Sequence, residues 1–205
     1  EHIPSRLKWF AIADITDARN LFLTLWYELH KECSHLLFVD ADMHFSPYLV
    51  SDMLKFGKPV TGVFYGRREF PLTAVGKCLT GQETAADVVS GHMKVKGVGA
   101  GVLLIAREAI DKMLADIPDL SDTAERQQVA PVLVKYGVSR FIRAFDRMDS
   151  ETGIRLSEDL SFCERWRQCG GEVWANVHHP IGHVGLFDYT IRYRDFLESR
   201  KAEAA

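Results

Sequence analysis

Short apolar runs alternate with amphipathic stretches along the 205-residue chain. Apolar residues that recur every three or four positions predict a helix, whereas an unbroken apolar run of about four to eight residues predicts a buried strand. Their alternation favours an α/β fold in which helices flank a mostly parallel sheet. Because 47% of the residues are apolar and 26% are charged, the chain is expected to form a packed core rather than to be disordered.

The same patterns predict the order of the elements. Asp17 is the predicted N-cap of a first helix over 17–31, and the fully apolar run at 35–39 predicts a buried parallel strand. Residues 66–93 are polar and weakly patterned, which predicts a long functional loop. Further strands are predicted over 8–13, 59–65, 97–105, 140–147 and 172–177, and further helices over 46–56, 107–114, 157–168 and 191–205.

The charge balance and the cysteines restrict the class of protein. A formal net charge of −3 and a pI near 6.3 argue against binding nucleic acid or membranes through charge alone. No run approaches the roughly 18–20 apolar residues that span a bilayer. The four cysteines have no CxxC spacing, so neither a zinc knuckle nor a thioredoxin motif is expected. Reduced thiols and no visible signal sequence predict a cytoplasmic location.

Two carboxylates follow the apolar run at 35–39. Asp40 and Asp42 are separated only by Ala41, in a DxD pattern. Ligands of open parallel sheets bind beyond the carboxyl ends of the strands, and a carboxylate pair there can hold a hard divalent cation that in turn binds a diphosphate. An acidic turn that merely ends a strand is the alternative, because short DxD patterns are common.

A second acidic pair, Glu158 and Asp159, opens the predicted helix 157–168. The positive amino end of a helix stabilises anions, and an ionised aspartate there could accept a proton from a substrate hydroxyl. The alternative is that these acids only stabilise the start of the helix.

Histidine, arginine and glycine residues supply further candidates. His183 lies between glycines in the segment IGHVG, and neutral imidazole is a frequent metal ligand. Arg19 follows Asp17 at the start of the first helix and could contact a phosphate or a base. The glycines of 97–101 precede a strand instead of following one, so they do not form a dinucleotide-binding motif. They would instead let an acceptor or a sugar approach the backbone.

Together and in this order, the motifs resemble those of GT-A glycosyltransferases, most closely the family 2-like group. The resemblance covers roughly residues 10–187. It implies a Rossmann-like, mostly parallel sheet flanked by helices. The motifs are ARN (18–20), LLFVDAD (36–42), GVGAGVLLIAREAID (97–111), SEDLSFCERWRQCGGEVWA (157–175) and IGHVG (181–185).

The resemblance implies roles for the donor-side residues. Asp42 would bind Mn²⁺ or Mg²⁺ together with His183, and Asp40 would contact the ribose or the metal. Arg19 would contact the nucleotide, with Asp17 and Ala41 beside it. The donor would be a nucleoside-diphosphate sugar, with a UDP-sugar favoured. On the acceptor side, the resemblance implies Asp159 as the base of an inverting transfer and Glu158 as the residue that positions the acceptor.

The chain departs from the family before Arg19. Such enzymes have two strands ahead of the ARN helix, and the stretch that precedes Arg19 is too short for both. Either this chain lacks N-terminal strands or the order of its first elements differs. The resemblance otherwise implies one glycosyltransferase domain over 1–190, followed by a charged helical tail over 191–205.

The acceptor and two other functions stay open. The acceptor could be a glycan, a lipid carrier, a protein or a modified nucleic acid base. Arg67, Arg68 and Lys77 could bind an anionic acceptor, although a solvated basic loop is the favoured interpretation. The alternative functions are a nucleotidyltransferase and a non-catalytic module of the same fold that binds nucleotide sugars or glycans.

Overall fold

The structure is a computed structural model that describes residues 3–9 and 11–203. Within these residues it is a mixed α/β protein. The six α-helices of this part are Ile15–Leu29 (α1), Tyr48–Phe56 (α2), Arg107–Asp116 (α3), Ala130–Lys135 (α4), Glu158–Gln168 (α5) and Tyr193–Glu203 (α6). Its twelve strands are His35–Val39 (β1), Met43–Phe45 (β2), Val60–Val63 (β3), Tyr65–Gly66 (β4), Ala74–Val75 (β5), Val88–Val89 (β6), His92–Val95 (β7), Gly99–Ala106 (β8), Ser121–Thr123 (β9), Arg140–Ile142 (β10), Val173–Asn176 (β11) and Ile181–His183 (β12).

The main sheet has the strand order β1-β8-β3-β11-β7-β6. Within it, only β3 and β11 pair in parallel, and the other four pairings are antiparallel. The prediction of an α/β protein is confirmed, and the prediction of a mostly parallel sheet is wrong. An apolar run reports that a strand is buried but not which way it points. A two-residue turn at Ser90 and Gly91, for example, makes β6 and β7 an antiparallel hairpin.

Several strands terminate at one end of the main sheet, which we call the sheet edge. Strands β1 and β3 both pair antiparallel with β8, and β11 pairs parallel with β3, so β1, β3 and β11 point the same way. Their carboxyl ends therefore lie beside the amino end of β8. Asp40 follows β1 at this edge and Gly99 begins β8 there.

The central strand β8 is buried along its whole length because helices cover both faces of the sheet. Leu103 and Ile105 belong to the large core cluster that includes residues of α1, α3 and α5. Val102 and Leu104 point the other way and pack in a cluster with Leu49 of α2. This alternation is the two-residue period of a strand with two apolar surroundings.

Most helix predictions are confirmed to within a few residues, but the cap of α1 differs. The side chain of Asp14, not of Asp17, accepts hydrogen bonds from the backbone N–H groups of Thr16 (2.7 Å) and Asp17 (3.1 Å). Asp17 therefore lies in the first turn of the helix. The predicted end of α2 is confirmed at Gly57, which adopts a left-handed conformation (φ 69°).

Two strand predictions and one loop prediction are corrected. Strand β1 has the predicted bounds, but it is the outermost strand of the sheet, it pairs antiparallel with β8, and only Phe38 of its residues is buried. The described residues of 8–13 form no strand, and Phe10 lies outside the described residues. The predicted loop 66–93 contains β5, β6 and the start of β7.

The predicted helical tail is confirmed as α6, and it packs against the rest of the protein. Tyr193 contacts the ring of Phe64 with ring centroids 4.2 Å apart, and Leu197 is buried. Residues 204–205 of the predicted tail lie outside the described residues. In the part of the chain that is described, no helix combines the length and apolarity needed to cross a membrane.

Candidate functional site

The turn after β1 holds the DxD residues at the sheet edge. The backbone N–H of Asp40 donates to the carbonyl of Gly101 on β8 (2.9 Å), and the N–H of Met43 donates to the carbonyl of Asp40 (3.1 Å). Strand β2 then starts at once and pairs with β12. The turn is therefore anchored on both sides, with Ala41 exposed at its tip.

The pairing of β2 with β12 brings His183 to Asp42. The N–H of Val184 donates to the carbonyl of Asp42 (2.7 Å), and His183 Nε2 lies 3.5 Å from Asp42 Oδ2. His183 Nδ1 is 2.9 Å from the carbonyl of Gly66, which can only accept, so the proton is on Nδ1. Nε2 is therefore the ring nitrogen that faces the carboxylate of Asp42, and in the neutral ring it is the nitrogen that can bind a metal ion.

Arg68 is a third residue at this carboxylate. Its guanidinium group forms an ion pair with Asp42 from the segment between β4 and β5. Arg68 is exposed as well as paired with Asp42, so the interpretation of this basic segment as a solvated loop stays a prediction.

Arg19 connects four elements of the site. Its side chain is only 7% exposed, and its Nη1 donates to the carbonyl of Ala100 on β8 (3.0 Å). Its Nη2 lies 3.4 Å from both oxygens of Asp40, and its Nε lies 3.4 Å from Glu158 Oε1. A buried charge needs such partners, so Arg19 holds α1, β8, the DxD turn and α5 together.

The two acidic residues at the start of α5 have different surroundings. Glu158 is buried, with one oxygen facing Arg19 and the other 3.9 Å from Arg147 Nη2. Asp159 is less buried, and its Oδ1 accepts hydrogen bonds from the N–H of Leu160 (2.7 Å) and from the hydroxyl of Ser157. Glu158 is thus engaged by arginines, whereas Asp159 has the more accessible carboxylate.

Tyr65 is a site residue that the sequence analysis missed. Its buried hydroxyl fills the space beside the glycines of β8, since a Cβ at Gly99 would lie 2.3 Å from Tyr65 Oη and one at Gly101 would lie 3.0 Å from the ring. The space that was predicted for an acceptor or a sugar is therefore occupied by this side chain. A tyrosine at the end of an apolar run gives no local signal of such a role.

The phenol of Tyr65 is held in its neutral form. Burial raises its pKa, and the nearby carboxylates of Asp159 and Asp40 raise it further, against the opposing effect of Arg19. The ring of His183 also meets the ring of Tyr65 edge-on at 5.3 Å. Tyr65 thus lies between the two acidic pairs as a neutral group that can donate a hydrogen bond.

Asp17 differs from the other predicted site residues. Burial raises the pKa of Asp17, and the neighbouring carboxylates of Asp14 and Asp146 add to the effect. Within the described residues it forms no ion pair with Arg19 or any other cation. The structure therefore does not bring Asp17 into the group formed by Arg19, Asp40 and Glu158.

Asp40, Asp42 and His183, the metal ligands expected from the resemblance, differ in whether they are free to bind a cation. No three Asp, Glu, His or Cys side chains in the described part of the chain are arranged to hold a metal ion. The carboxylate of Asp40 faces Arg19, whereas Asp42 and His183 approach each other and are partly exposed. Magnesium is commonly bound by one or two carboxylates with substrate phosphates and water as its other ligands. Asp42 fits a cation that is bound in this way, whereas His183 fits one that also accepts imidazole, such as Mn²⁺.

Comparisons with known proteins add little to this geometry. A scan against protein-family models gave no match, and neither did a search of curated proteins. Among solved structures, the crystal structure of A197 from STIV matches with 15% identity and a TM-score of 0.47, over 85% of this chain and 69% of that chain. A likeness this distant assigns neither a family nor a function.

Proposed function

We propose that this chain is a GT-A glycosyltransferase of the family 2-like group, which transfers a sugar from a nucleoside-diphosphate sugar to an acceptor hydroxyl. The observation that supports this most is the convergence of four segments, distant in sequence, at one sheet edge. They contribute Arg19, Asp40 with Asp42, Glu158 with Asp159, and His183. The motifs that carry the family resemblance are thus neighbours in space.

The donor side of the proposed site is formed by the DxD turn and β12. Asp42 and His183 would hold Mn²⁺ or Mg²⁺, which when bound offsets the negative charge that develops on the departing diphosphate. Arg19 fixes the orientation of Asp40, whose carboxylate would contact the ribose of the nucleotide. The resemblance favours a UDP-sugar as the donor.

Asp159 would act as the base on the acceptor side. Asp159 lies in the first turn of α5, where its carboxylate would accept the proton of the acceptor hydroxyl. The hydroxyl oxygen then forms a bond to the anomeric carbon of the sugar while the bond from that carbon to the diphosphate breaks on the opposite face. The products are an inverted glycoside and a nucleoside diphosphate. Glu158 would act as a positioning residue through Arg19.

The first test is a calorimetric titration of UDP in the presence of Mn²⁺ or of a chelator. We expect binding to need the cation and to weaken by about tenfold or more in Asp42→Asn and His183→Ala, since each change removes a metal ligand. Asp116→Asn is the matched control, because Asp116 is exposed and, among the described residues, forms its one ion pair with Lys112. Equal affinity with the chelator present would contradict a metal-bridged diphosphate.

Product analysis separates the proposed reaction from the alternatives. A screen of nucleotide sugars with Mn²⁺ should release a nucleoside diphosphate. Release of pyrophosphate from nucleoside triphosphates would instead indicate a nucleotidyltransferase. Metal-dependent binding of donors, without turnover for any acceptor, would indicate a binding module.

A further inference from the structure

A pocket of about 270 Å³ borders the proposed acceptor side of the site. It lies between α5, the residues that follow β10 and the connection from α3 to β9. Its lining is formed by Ile117, Asp119, Leu120, Arg143, Asp146, Arg147 and Arg165. Three arginines around so small a volume concentrate positive charge in a protein whose net charge is −3.

Main-chain carbonyls hold two of these arginines in place. Arg143 Nη2 donates to the carbonyl of Asp119 (2.7 Å), and Arg165 Nη1 donates to the carbonyls of Ala144 (3.1 Å) and Asp146 (2.5 Å). The buried Nε of Arg143 has no hydrogen-bond partner among the described residues. The guanidinium groups are thus oriented by neutral oxygens, which leaves their charge without a neutralising partner.

The acidic residues of the lining do not neutralise the arginines. Asp146 Oδ1 accepts a hydrogen bond from Asn20 Nδ2 (2.8 Å), and Asp119 offers Arg143 its main-chain oxygen. Across the residues that the structure describes, neither carboxylate lies within 4.0 Å of a guanidinium nitrogen of this pocket. An anion in the pocket would therefore meet the guanidinium groups of Arg143 and Arg165, which pair with no carboxylate within 4.0 Å among the described residues, whereas Arg147 also faces Glu158.

The electrostatics of Arg165 agree with an unneutralised cluster. Burial lowers the pKa of Arg165, and although Asp146 opposes this effect, the like charges of Arg143 and Arg155 add to it. An anion bound between the arginines would relieve this repulsion.

The pocket is connected to the proposed acceptor side by Arg147. Its Nη2 lies 3.9 Å from Glu158 Oε2, and Glu158 is adjacent in sequence to the proposed base, Asp159. Arg165 follows Glu158 by two turns on the same helix, a distance of about 10 Å at 1.5 Å per residue. A small acceptor can span this distance.

We propose that this pocket binds an anionic group of the acceptor, a phosphate or a carboxylate, while the acceptor hydroxyl is presented to Asp159. The inference rests on the proposed function, and it narrows the acceptor to an acidic or phosphorylated molecule. Planar guanidinium groups bind both kinds of oxyanion through paired hydrogen bonds, so the shared chemistry is an oxyanion next to the reacting hydroxyl.

The anion site is tested without a nucleotide. Inorganic phosphate is titrated into the full chain at constant ionic strength, with binding followed by calorimetry and NMR. We expect phosphate to bind and to bind about tenfold more weakly in Arg147→Gln, which removes a positive charge, and in Arg143→Lys, which keeps the charge but loses the paired donors of the guanidinium group. Arg147 is half-exposed, and its one ion pair among the described residues is with Glu158 at 3.9 Å, so its replacement is compatible with folding.

Arg126→Gln is the control for these variants, because Arg126 carries the same charge, is 77% exposed in its side chain and does not line the pocket. It should bind phosphate like the parent protein. Failure of phosphate to bind, or equal weakening in Arg126→Gln, would overturn the anion site.

The acceptor assignment is tested by three matched acceptors: a neutral sugar, the same sugar as its phosphate, and its uronic acid. With a donor that the protein hydrolyses, we expect one of the two anionic acceptors to have a kcat/KM about tenfold higher than the neutral sugar. This preference should disappear in Arg147→Gln and persist in Arg126→Gln. The anionic acceptor with the higher kcat/KM shows whether the pocket prefers a phosphate or a carboxylate.

The two proposals fail in different ways. Equal rates for all three acceptors, with nucleoside diphosphate still released, would overturn the anionic acceptor and leave the proposed function standing. Phosphate binding without any release of nucleoside diphosphate would overturn both the proposed function and the acceptor assignment, and it would reduce the pocket to an anion site.

Discussion

The carboxylate of Asp42 is the most crowded position of the site at the scale of single residues. It faces Nε2 of His183 and the guanidinium group of Arg68, while the main-chain oxygen of Asp42 accepts a hydrogen bond from Val184. Under the proposed function, a divalent cation at Asp42 would compete with Arg68 for the same carboxylate, and its affinity would depend on how readily Arg68 moves away.

Asp159 is predicted to be needed for transfer and not for donor binding. An amide at this position keeps the size of the side chain but cannot accept a proton, so Asp159→Asn should reduce the rate of transfer by about 100-fold or more. The affinity for UDP with Mn²⁺ should stay close to that of the parent protein. Asp149→Asn, which removes an exposed carboxylate paired with Arg155, is the control. Loss of UDP binding in Asp159→Asn would move this residue to the donor site.

Position 99 is predicted to need glycine, because the side chain of Tyr65 leaves no space for a Cβ there. A Cβ at this position would lie 2.3 Å from Tyr65 Oη and 2.8 Å from its Cζ, so Gly99→Ala must displace a buried side chain. We expect the free energy of unfolding to fall by about 1–3 kcal/mol in chemical denaturation. Because the closest contact is with the hydroxyl, Tyr65→Phe should recover part of this loss when both changes are combined. Additive effects of the two changes would show that they do not share this contact.

At the scale of elements, the start of α1 matters because this helix carries Arg19 and Asn20 into the site. The cap at Asp14 satisfies N–H groups that the helix leaves unpaired, and thereby sets where the helix begins. In the same way, the short pair of β2 and β12 fixes the position of His183 relative to the DxD turn. In both cases a short local feature, a helix cap or a pair of three-residue strands, determines the position of a side chain of the candidate site.

Asp14→Ala is predicted to lower the free energy of unfolding by about 1 kcal/mol, because the helix loses its cap. Asp14→Asn should be much closer to the parent protein, since asparagine also caps well. Hydrogen bonding from the N–H of Asp17, the largest cause, lowers the pKa of Asp14 below the ordinary 3.8. The ionised carboxylate therefore contributes stability above pH 3.8, and this contribution is lost as the pH falls through the lowered pKa.

Denaturation curves of these variants at several pH values check the cap. The advantage of the parent protein over Asp14→Asn should shrink as the pH falls below the ordinary carboxyl pKa. An advantage that is independent of pH in this range would contradict a charged cap.

At the scale of the whole molecule, a row of aromatic rings links the parts that carry the site. Phe145 packs on Phe38 of β1 with ring centroids 5.4 Å apart and stacks on Phe162 of α5 at 4.7 Å. The N–H of Phe145 also donates to Asn20 Oδ1 of α1 (2.8 Å). The apolar core and the polar site thus share the same supporting residues.

Phe145→Ala is predicted to lower the free energy of unfolding by about 3–5 kcal/mol, because it leaves a cavity between β1 and α5. Phe187→Ala is the matched control, since Phe187 loses the same atoms but is 61% exposed, and its cost should stay below about 1 kcal/mol. Chemical denaturation measures both values. A similar loss of unfolding free energy in the two variants would contradict the position of Phe145 in the buried core.

The helices and strands were largely predictable from the sequence because their signals are local. The periodic apolar positions placed α2, α3 and α5 to within a few residues, and the run at 35–39 has the bounds of β1. The place and the direction of β1 in the sheet were predicted wrongly, since an apolar run has the same pattern in an outermost strand as in a central one. The cap of α1 was misassigned because both Asp14 and Asp17 suit a helix start, and only the hydrogen bonds distinguish them.

The sequence by itself determined which residues could carry the chemistry, because DxD, the acidic pair of α5 and the IGHVG histidine are recognisable by type and order. Only the tertiary structure decided that Asp40 faces Arg19, that Asp42 faces His183 and Arg68, and that Tyr65 fills the space at the glycines of β8. It also decided the direction of the strands. Periodicity reports the burial of one face of an element, whereas strand direction and side-chain partners depend on contacts between residues that are far apart in the chain.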